Sequence, residues 1–335
     1  MRFSVGYQLF SDDYLIDNII QRKAHISEVY FSWGSIPNGR NNQFMRADMS
    51  AWEAQEKQLA DLKELSENNV DLNLLFNATC YGKDSLSKVF FQEIGDTVAY
   101  LSEKTTLKTI TTTSPVIAGF IKTNFSDLEV RASVNMCIGT EEGMKYVADC
   151  FDSFYLKREY NRDFSVIRGL KAWCDKNGKT LYALANSGCL NNCSAHTFHD
   201  NLVSHESEIT KTDNGFVFQG VCKKFLSNPD NLHALLDYTG FIRPEDVALY
   251  EGLFPSMKLA TRVHADPIKV LRAYIDRSKH IGSILDLLEP NHTPVIYPWI
   301  LENSRIKAEV HGDKLVYSNV ENALIKLEDD RYVNK

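Results

Sequence analysis

Cys189 and Cys193 stand four residues apart in Gly188-Cys189-Leu190-Asn191-Asn192-Cys193, a spacing that lets two sulfurs face one side of a turn or short helix. Gly188, Asn191, Asn192 and Ser194 are turn formers, so backbone N–H groups are free to approach thiolates there. Cys222 follows in the same long segment, and Cys80 and Cys137 are expected just past two strands. Three of these thiolates plus a fourth from another loop suit a 4Fe-4S cluster or a structural zinc. Zinc sites favour paired short knuckles, and here only one short pair exists, so a cluster spread over a rigid scaffold is the better match. Cys150 and Cys174 lie in helical patterns and read as small core residues.

Such distant ligands need a frame. Eight apolar runs have strand character: Phe3–Leu9, Glu28–Trp33, Asp71–Asn77, Leu107–Thr113, Glu129–Met136, Ser153–Tyr160, Thr180–Asn186 and Met257–His264. Between them, segments such as Asp13–Ala24, Ser50–Asn68, Ser85–Ser102, Glu141–Cys150, Asp163–Asn177 and Pro267–Asp276 carry apolar residues at helical spacing. Gly178 sits where a helix C-cap is expected. Strand and helix alternating eight times predict a TIM-type (β/α) barrel of parallel strands, whose active sites lie at the C-terminal rim. The alternative is an open sheet with a small second domain, but neither GxGxxG nor GxxxxGK[ST] is present.

The connection from Cys189 to Ser256, about 70 residues, far exceeds an ordinary barrel helix with its loops. It reads as an insertion between strands 7 and 8, so residues 1–290 are assigned to the barrel, with 189–256 as its ligand-bearing elaboration. Residues 291–335 form a small C-terminal extension, with a hairpin at 306–319 turning at His311-Gly312-Asp313 and a polar tail from Glu328.

The whole chain has 335 residues, 44% hydrophobic and 24% charged, with a formal net charge of −7. That composition excludes disordered and collagenous classes and gives no global field favouring nucleic acid. No apolar run approaches the ~18–20 residues of a membrane span, and the N-terminus has no leader pattern, so a cytoplasmic protein with reduced thiols and no membrane partner is expected.

The run Asn186-Ser187-Gly188-Cys189-Leu190-Asn191-Asn192-Cys193, then His196, His199 and His205, with Phe241-Ile242-Arg243-Pro244-Glu245-Asp246-Val247 before Met257-Lys258-Leu259-Ala260-Thr261-Arg262, resembles the U-32 (collagenase-like) peptidase family. The likeness is strongest over residues 153–275. It implies a β/α barrel with an oxygen-sensitive 4Fe-4S cluster on four cysteines, matched here by Cys189, Cys193 and Cys222. The fourth is offered by Cys80, favoured because Gly82 supports a tight turn around a ligand, or by Cys137. Despite the family name, several members look like oxygen-independent hydroxylation factors for ubiquinone, transfer RNA or ribosomal RNA, some using prephenate. The chain departs from the family in having Leu184-Ala185-Asn186 before its first cysteine and Ser194 after its second.

Further chemistry is expected from charged residues near the rim. Period-two alternation places Lys258, Arg262 and His264 on one face of the eighth strand, a basic strip suited to a carboxylate or phosphate, or to pairing with an internal carboxylate. Glu159, in the polar end of the sixth strand, is the first candidate for an acid or base. Thus Glu159, His264 and Arg262 are the catalytic candidates, and Lys258, His196, His205 and Arg243 the substrate candidates. Three functions remain open: an iron–sulfur barrel enzyme modifying or hydroxylating a small molecule, RNA or peptide without oxygen; a peptidase; and a metal-stabilised scaffold for a protein partner.

Overall fold

In the computed structural model, residues 1–9, 14–40 and 49–327 are described. The expected polar tail from Glu328 and the first residue of the Asp13–Ala24 segment lie outside them. Eight strands, β1 Arg2–Gly6, β2 Ile26–Phe31, β3 Leu72–Phe76, β4 Leu107–Thr112, β5 Glu129–Ala132, β6 Ser153–Tyr155, β7 Thr180–Leu184 and β8 Ser256–Leu259, pair in parallel in chain order. β8 closes on β1, with Phe3 opposite Met257 and Val5 opposite Leu259. The fold is a TIM-type barrel, as the alternation predicts.

Helices α1 Leu15–Gln21, α2 Ala51–Glu67, α3 Lys88–Lys104, α4 Pro115–Asn124, α5 Glu141–Lys145 and α6 Phe164–Lys176 run back outside the strands. Their starts are set by short polar caps. Ser50 and Glu53 form a reciprocal capping box on α2, and Ser87, Ser114, Thr140 and Asp163 each accept a backbone N–H at the first turn of the next four helices. α4, absent from the segments singled out by spacing, is announced by Ser114-Pro115 at its cap and first helical position. Gly178 takes φ +63° beyond α6, the left-handed conformation expected of it.

The 185–255 connection carries α7 His196–Ser204, α8 Glu206–Ile209, α9 Val221–Leu226, α10 Ala234–Asp237 and a 3-10 helix at Pro244–Tyr250. Its second half is part of the core, with Leu235, Phe241, Val247 and Tyr250 buried. Its first half stays exposed, Phe216 almost completely at 97%. After α11 Pro267–Asp276, strand β9 Trp299–Leu301 pairs with β12 Leu324–Lys326, and β10 Lys307–His311 with β11 Lys314–Ser318 in the expected hairpin.

Three strands end earlier than their residue pattern suggests. β5 stops at Ala132 because the Ser133 hydroxyl accepts the Asn135 N–H at 3.2 Å and starts a 3-10 turn over Val134–Met136. β6 stops at Tyr155, and Arg158–Tyr160 form another 3-10 turn. Beyond β8, the Asn186 carboxamide takes the place of a strand partner, accepting the Ala260 N–H at 2.6 Å. Glu159, Arg262 and His264 therefore sit on rim turns rather than on strands.

The lumen is polar at its centre. Glu28 of β2 accepts from Arg131 of β5 at 2.6 Å, from Asn73 at 2.8 Å and from Ser4 at 2.8 Å. Arg131 also lies over the Tyr182 ring, 3.9 Å from its centroid. Burial alone would raise the Glu28 pKa, but the Arg131 charge and these hydrogen bonds outweigh it and hold the carboxyl below its ordinary value. This carboxylate, rather than Glu159, is the internal partner for lumen cations.

Arg131→Met should cost about 3–5 kcal/mol of unfolding free energy, read by urea titration, because it strands a buried carboxylate. Adding Glu28→Gln should recover part of that loss. Since the Glu28 pKa is lowered on folding, its contribution is full above the unfolded carboxyl range near pH ~4 and disappears as pH falls through the lower folded value. At the rim, a Cβ on Gly240 would collide with the Arg158 carbonyl oxygen. Gly240→Ala should lower the melting temperature and displace the Arg158–Tyr160 turn, whereas Gly119→Ala, with open space around its Cβ position, should leave that turn unchanged.

Candidate functional site

Closure of the barrel delivers the loops after β3, β5, β6, β7 and β8 to one rim, and the cysteines ride on them. Cys189 follows β7 in a loop tied to the body: Gly188 N–H donates to Glu289 O at 2.9 Å, and His292 Nε2 lies 2.8 Å from Gly188 O. Asn192, at φ +55°, turns the chain so that Cys193 returns toward Cys189. Cys222 sits in α9 with its thiol in electrostatic reach of both. Burial raises its pKa, nearby Cys189 and Cys193 add to the rise, and the N–H groups of Cys222 and Lys223 act against it.

Cys80 follows β3, its sulfur accepting the Gly82 N–H at 3.4 Å, with Gly82 at φ +69° as the tight turn requires. Cys137 follows β5 at φ +53° and faces His196, Sγ to Nδ1 3.9 Å. These two cysteines line one cleft of about 610 Å³ with Asn135, His196, Asp200 and Asn201. Cys174 is fully buried against Met144, and Cys150 is partly buried against the core, so both keep the packing role expected of them.

Among the described residues, no three Cys, His, Asp or Glu side chains approach closely enough to hold a metal ion. Cys189, Cys193 and Cys222 are neighbours rather than a closed cage. Their chemistry nonetheless fits a thiolate-bound group: soft sulfur donors, left-handed backbone at Asn192 and Gly220 that bends the loops, and N–H groups directed at sulfur. Cys80 and Cys137 line the adjoining cleft with His196.

Arg158 joins this group to the barrel, a role not anticipated for it from sequence. Its Nη1 donates to Cys189 Sγ at 3.4 Å, and its Nη2 contacts His196 Nε2. Burial opposes its charge, but Cys189, Asp200 and Cys137 around it outweigh that effect and raise its pKa. The same side chain lines the mouth of the lumen with Arg40, Lys258, Arg262, Tyr30, Asn77, Asn135 and Glu289, around a pocket of about 50 Å³. Four cations thus meet one carboxyl, Glu289, whose pKa burial raises against the opposing charge of Arg40.

The other expected residues divide. Lys258 points into the lumen, its Nζ 3.8 Å from the Tyr30 ring centroid, and Arg262 is buried beside the mouth. His264 does not reach that pocket; its Nδ1 accepts the Asp266 N–H at 3.0 Å and braces the start of α11. Glu159 accepts the Asn192 N–H at 3.4 Å and faces a separate 350 Å³ groove with Arg162, Asp163 and Lys314, outside the lumen. It supports the cysteine loop instead of facing a substrate in the barrel.

His205 pairs with Glu208 at 3.4 Å and packs close to Gly82, near Cys80. Arg243 is committed to Asp246 at 2.6 Å, Glu245 at 3.4 Å and the Tyr317 ring at 5.0 Å. It fastens the C-terminal hairpin to the barrel, and the anion role expected of it is taken by its own chain's carboxylates.

No protein-family profile matches the chain. Over 230 residues it is 24% identical to an uncharacterized protease of Methanocaldococcus jannaschii, covering 67% of this chain and 65% of that protein, just under two thirds of the relative's length. The solved structure of a U32 peptidase superposes with a TM-score of 0.55 at 13% identity, over 77% of this chain and 91% of the other. At that identity the superposition speaks for the barrel alone. No helix among the described residues is long and apolar enough to cross a membrane. The resemblance read from the sequence thus stands beside a 24% match to an uncharacterized protease over two thirds of the chain and a barrel shared with a solved U32 peptidase.

Proposed function

We propose that the chain is an iron–sulfur barrel enzyme that modifies, and foremost hydroxylates, an anionic small molecule, RNA or peptide without oxygen. The observation that supports this reading is Arg158, which touches Cys189 and lines the cationic mouth, so that the thiol group and the substrate pocket share one side chain. Cys189, Cys193 and Cys222 would hold a 4Fe-4S cluster, with Cys80 as the fourth ligand and Cys137 as the alternative; zinc would use the same donors. Such a cluster supplies one-electron transfer beside the substrate. Arg158 offsets thiolate charge and holds His196, while Lys258, Arg262 and Arg40 receive an anionic group in a sheltered mouth where charge-assisted hydrogen bonds are strong.

A second reading, hydrolysis, has its own support. Cys137 Sγ lies 3.9 Å from His196 Nδ1, and His196 Nε2 lies 3.1 Å from Asp200 Oδ2, the order of groups used by thiol hydrolases. The contact of Arg158 with the same Nε2 competes with Asp200 for that nitrogen, and Asp200 Oδ2 has no aligned hydrogen bond. This arrangement is therefore the weaker of the two.

Protein purified anaerobically should be brown and contain iron and acid-labile sulfide in equal amounts. Cys189→Ser, Cys193→Ser, Cys222→Ser and Cys80→Ser should each remove most of the visible absorbance, and Cys174→Ser should not. Retention in Cys80→Ser with loss in Cys137→Ser would exchange the fourth ligand; stoichiometric zinc without iron would replace the cluster by the metal. Peptidase activity abolished by Cys137→Ala yet intact in Cys189→Ser would overturn the iron–sulfur reading in favour of the thiol hydrolase.

A further inference from the structure

Lys258 is the one mouth cation whose position suits chemistry as well as attraction. It stands at the end of β8, 8% exposed, with its Nζ against the faces of Tyr30 at 3.8 Å and Tyr155 at 5.4 Å. The charged and titratable groups around it come from every wall: Tyr30 and Glu28 on β2, Arg131 on β5, Tyr155 on β6, Arg262 beyond β8 and Arg40 in the loop after β2. Glu28 is already engaged by Arg131, Asn73 and Ser4. The lysine is thus left among cations and rings at the floor of a pocket it shares with Arg262, Arg40, Arg158 and Glu289.

We infer that Lys258 is a nucleophilic amine that condenses with the carbonyl carbon of a small 2-oxo acid, whose carboxylate is received by Arg262 and Arg40. The pocket of about 50 Å³ has room for roughly three to five non-hydrogen groups, the size of a 2-oxo-acid head. Nζ adds to the carbonyl to give a carbinolamine. Its hydroxyl then leaves as water with a proton from the Glu289 carboxyl, giving an iminium on Lys258 and a carboxylate on Glu289. Atoms and charge balance with no oxidant or reductant. Burial, reinforced by the neighbouring Arg262, lowers the Lys258 pKa to about 7, so the free amine needed for addition is abundant at neutral pH. Burial likewise keeps the Glu289 carboxyl protonated to higher pH than an ordinary glutamate.

This inference rests on the mouth as the substrate site but not on the cluster. Full-length protein is incubated with pyruvate and cyanoborohydride across pH 5–10, and the labelled lysines are mapped by peptide mass spectrometry. Lys258 should be reductively alkylated in preference to exposed Lys83, half-maximally at about pH 7. Labelling at Lys258 should be equal in preparations with and without iron and sulfide, which separates failure of this inference from failure of the cluster assignment. Arg262→Gln should reduce the yield roughly tenfold or more by loss of a charge-assisted contact, and Lys258→Met should abolish labelling at that peptide. Labelling spread over exposed lysines with Lys258 spared, or Lys258 labelling that rises only near pH 10 as for an ordinary lysine, would overturn it.

Discussion

A closed barrel can enclose charge only where that charge is matched, and in this lumen the matching is done by Glu28 and Arg131. The pair spans the barrel from β2 to β5 and draws Ser4, Asn73, Ser153 and Tyr155 into one network. With the carboxylate engaged by Arg131, Asn73 and Ser4, the wall above it stays rich in positive charge, and Lys258 and Arg262 both line the mouth. The electropositive pocket at the rim is thus a by-product of how the centre of the barrel is neutralised, and its chemistry depends on a pair that touches no substrate.

Arg158 carries this arrangement outward. A 3-10 turn after β6 lets one guanidinium reach the mouth and Cys189 together, which a continued strand could not do because successive side chains would alternate between lumen and helix layer. Gly240 makes the turn possible by allowing the insertion to pass directly over the Arg158 carbonyl. The buried half of the insertion therefore has a mechanical role, holding the rim turn in place, while its exposed half presents Cys222 to the cysteine pair.

The sequence makes the barrel readable because local signals agree there: apolar strand runs, and Ser, Thr and Asp caps at the helix starts. It is less informative at the rim. Lys157-Arg158-Glu159-Tyr160-Asn161 contains neither Gly nor Pro, so nothing local distinguishes a strand from the turn that forms, and the turn is what sends Glu159 to the outer groove. Glu28 and Arg131 lie 103 positions apart in separate strand-like runs, and only closure reveals them as partners. The cysteines of the 189–193 pair and Cys222 were legible by type and spacing. Their relation to Arg158, and the facing of Cys137 and His196, depend on loop geometry that spacing does not encode.

The cationic side chains of the mouth have an electrostatic effect at a distance. A chain with net charge −7 opens through a pocket lined by Arg40, Arg158, Lys258 and Arg262. An approaching anion meets a repulsive exterior that physiological salt screens within about 8 Å, and then an attractive throat too sheltered to be screened as strongly. Moderate salt should accordingly hinder capture far less than it would for a surface basic patch.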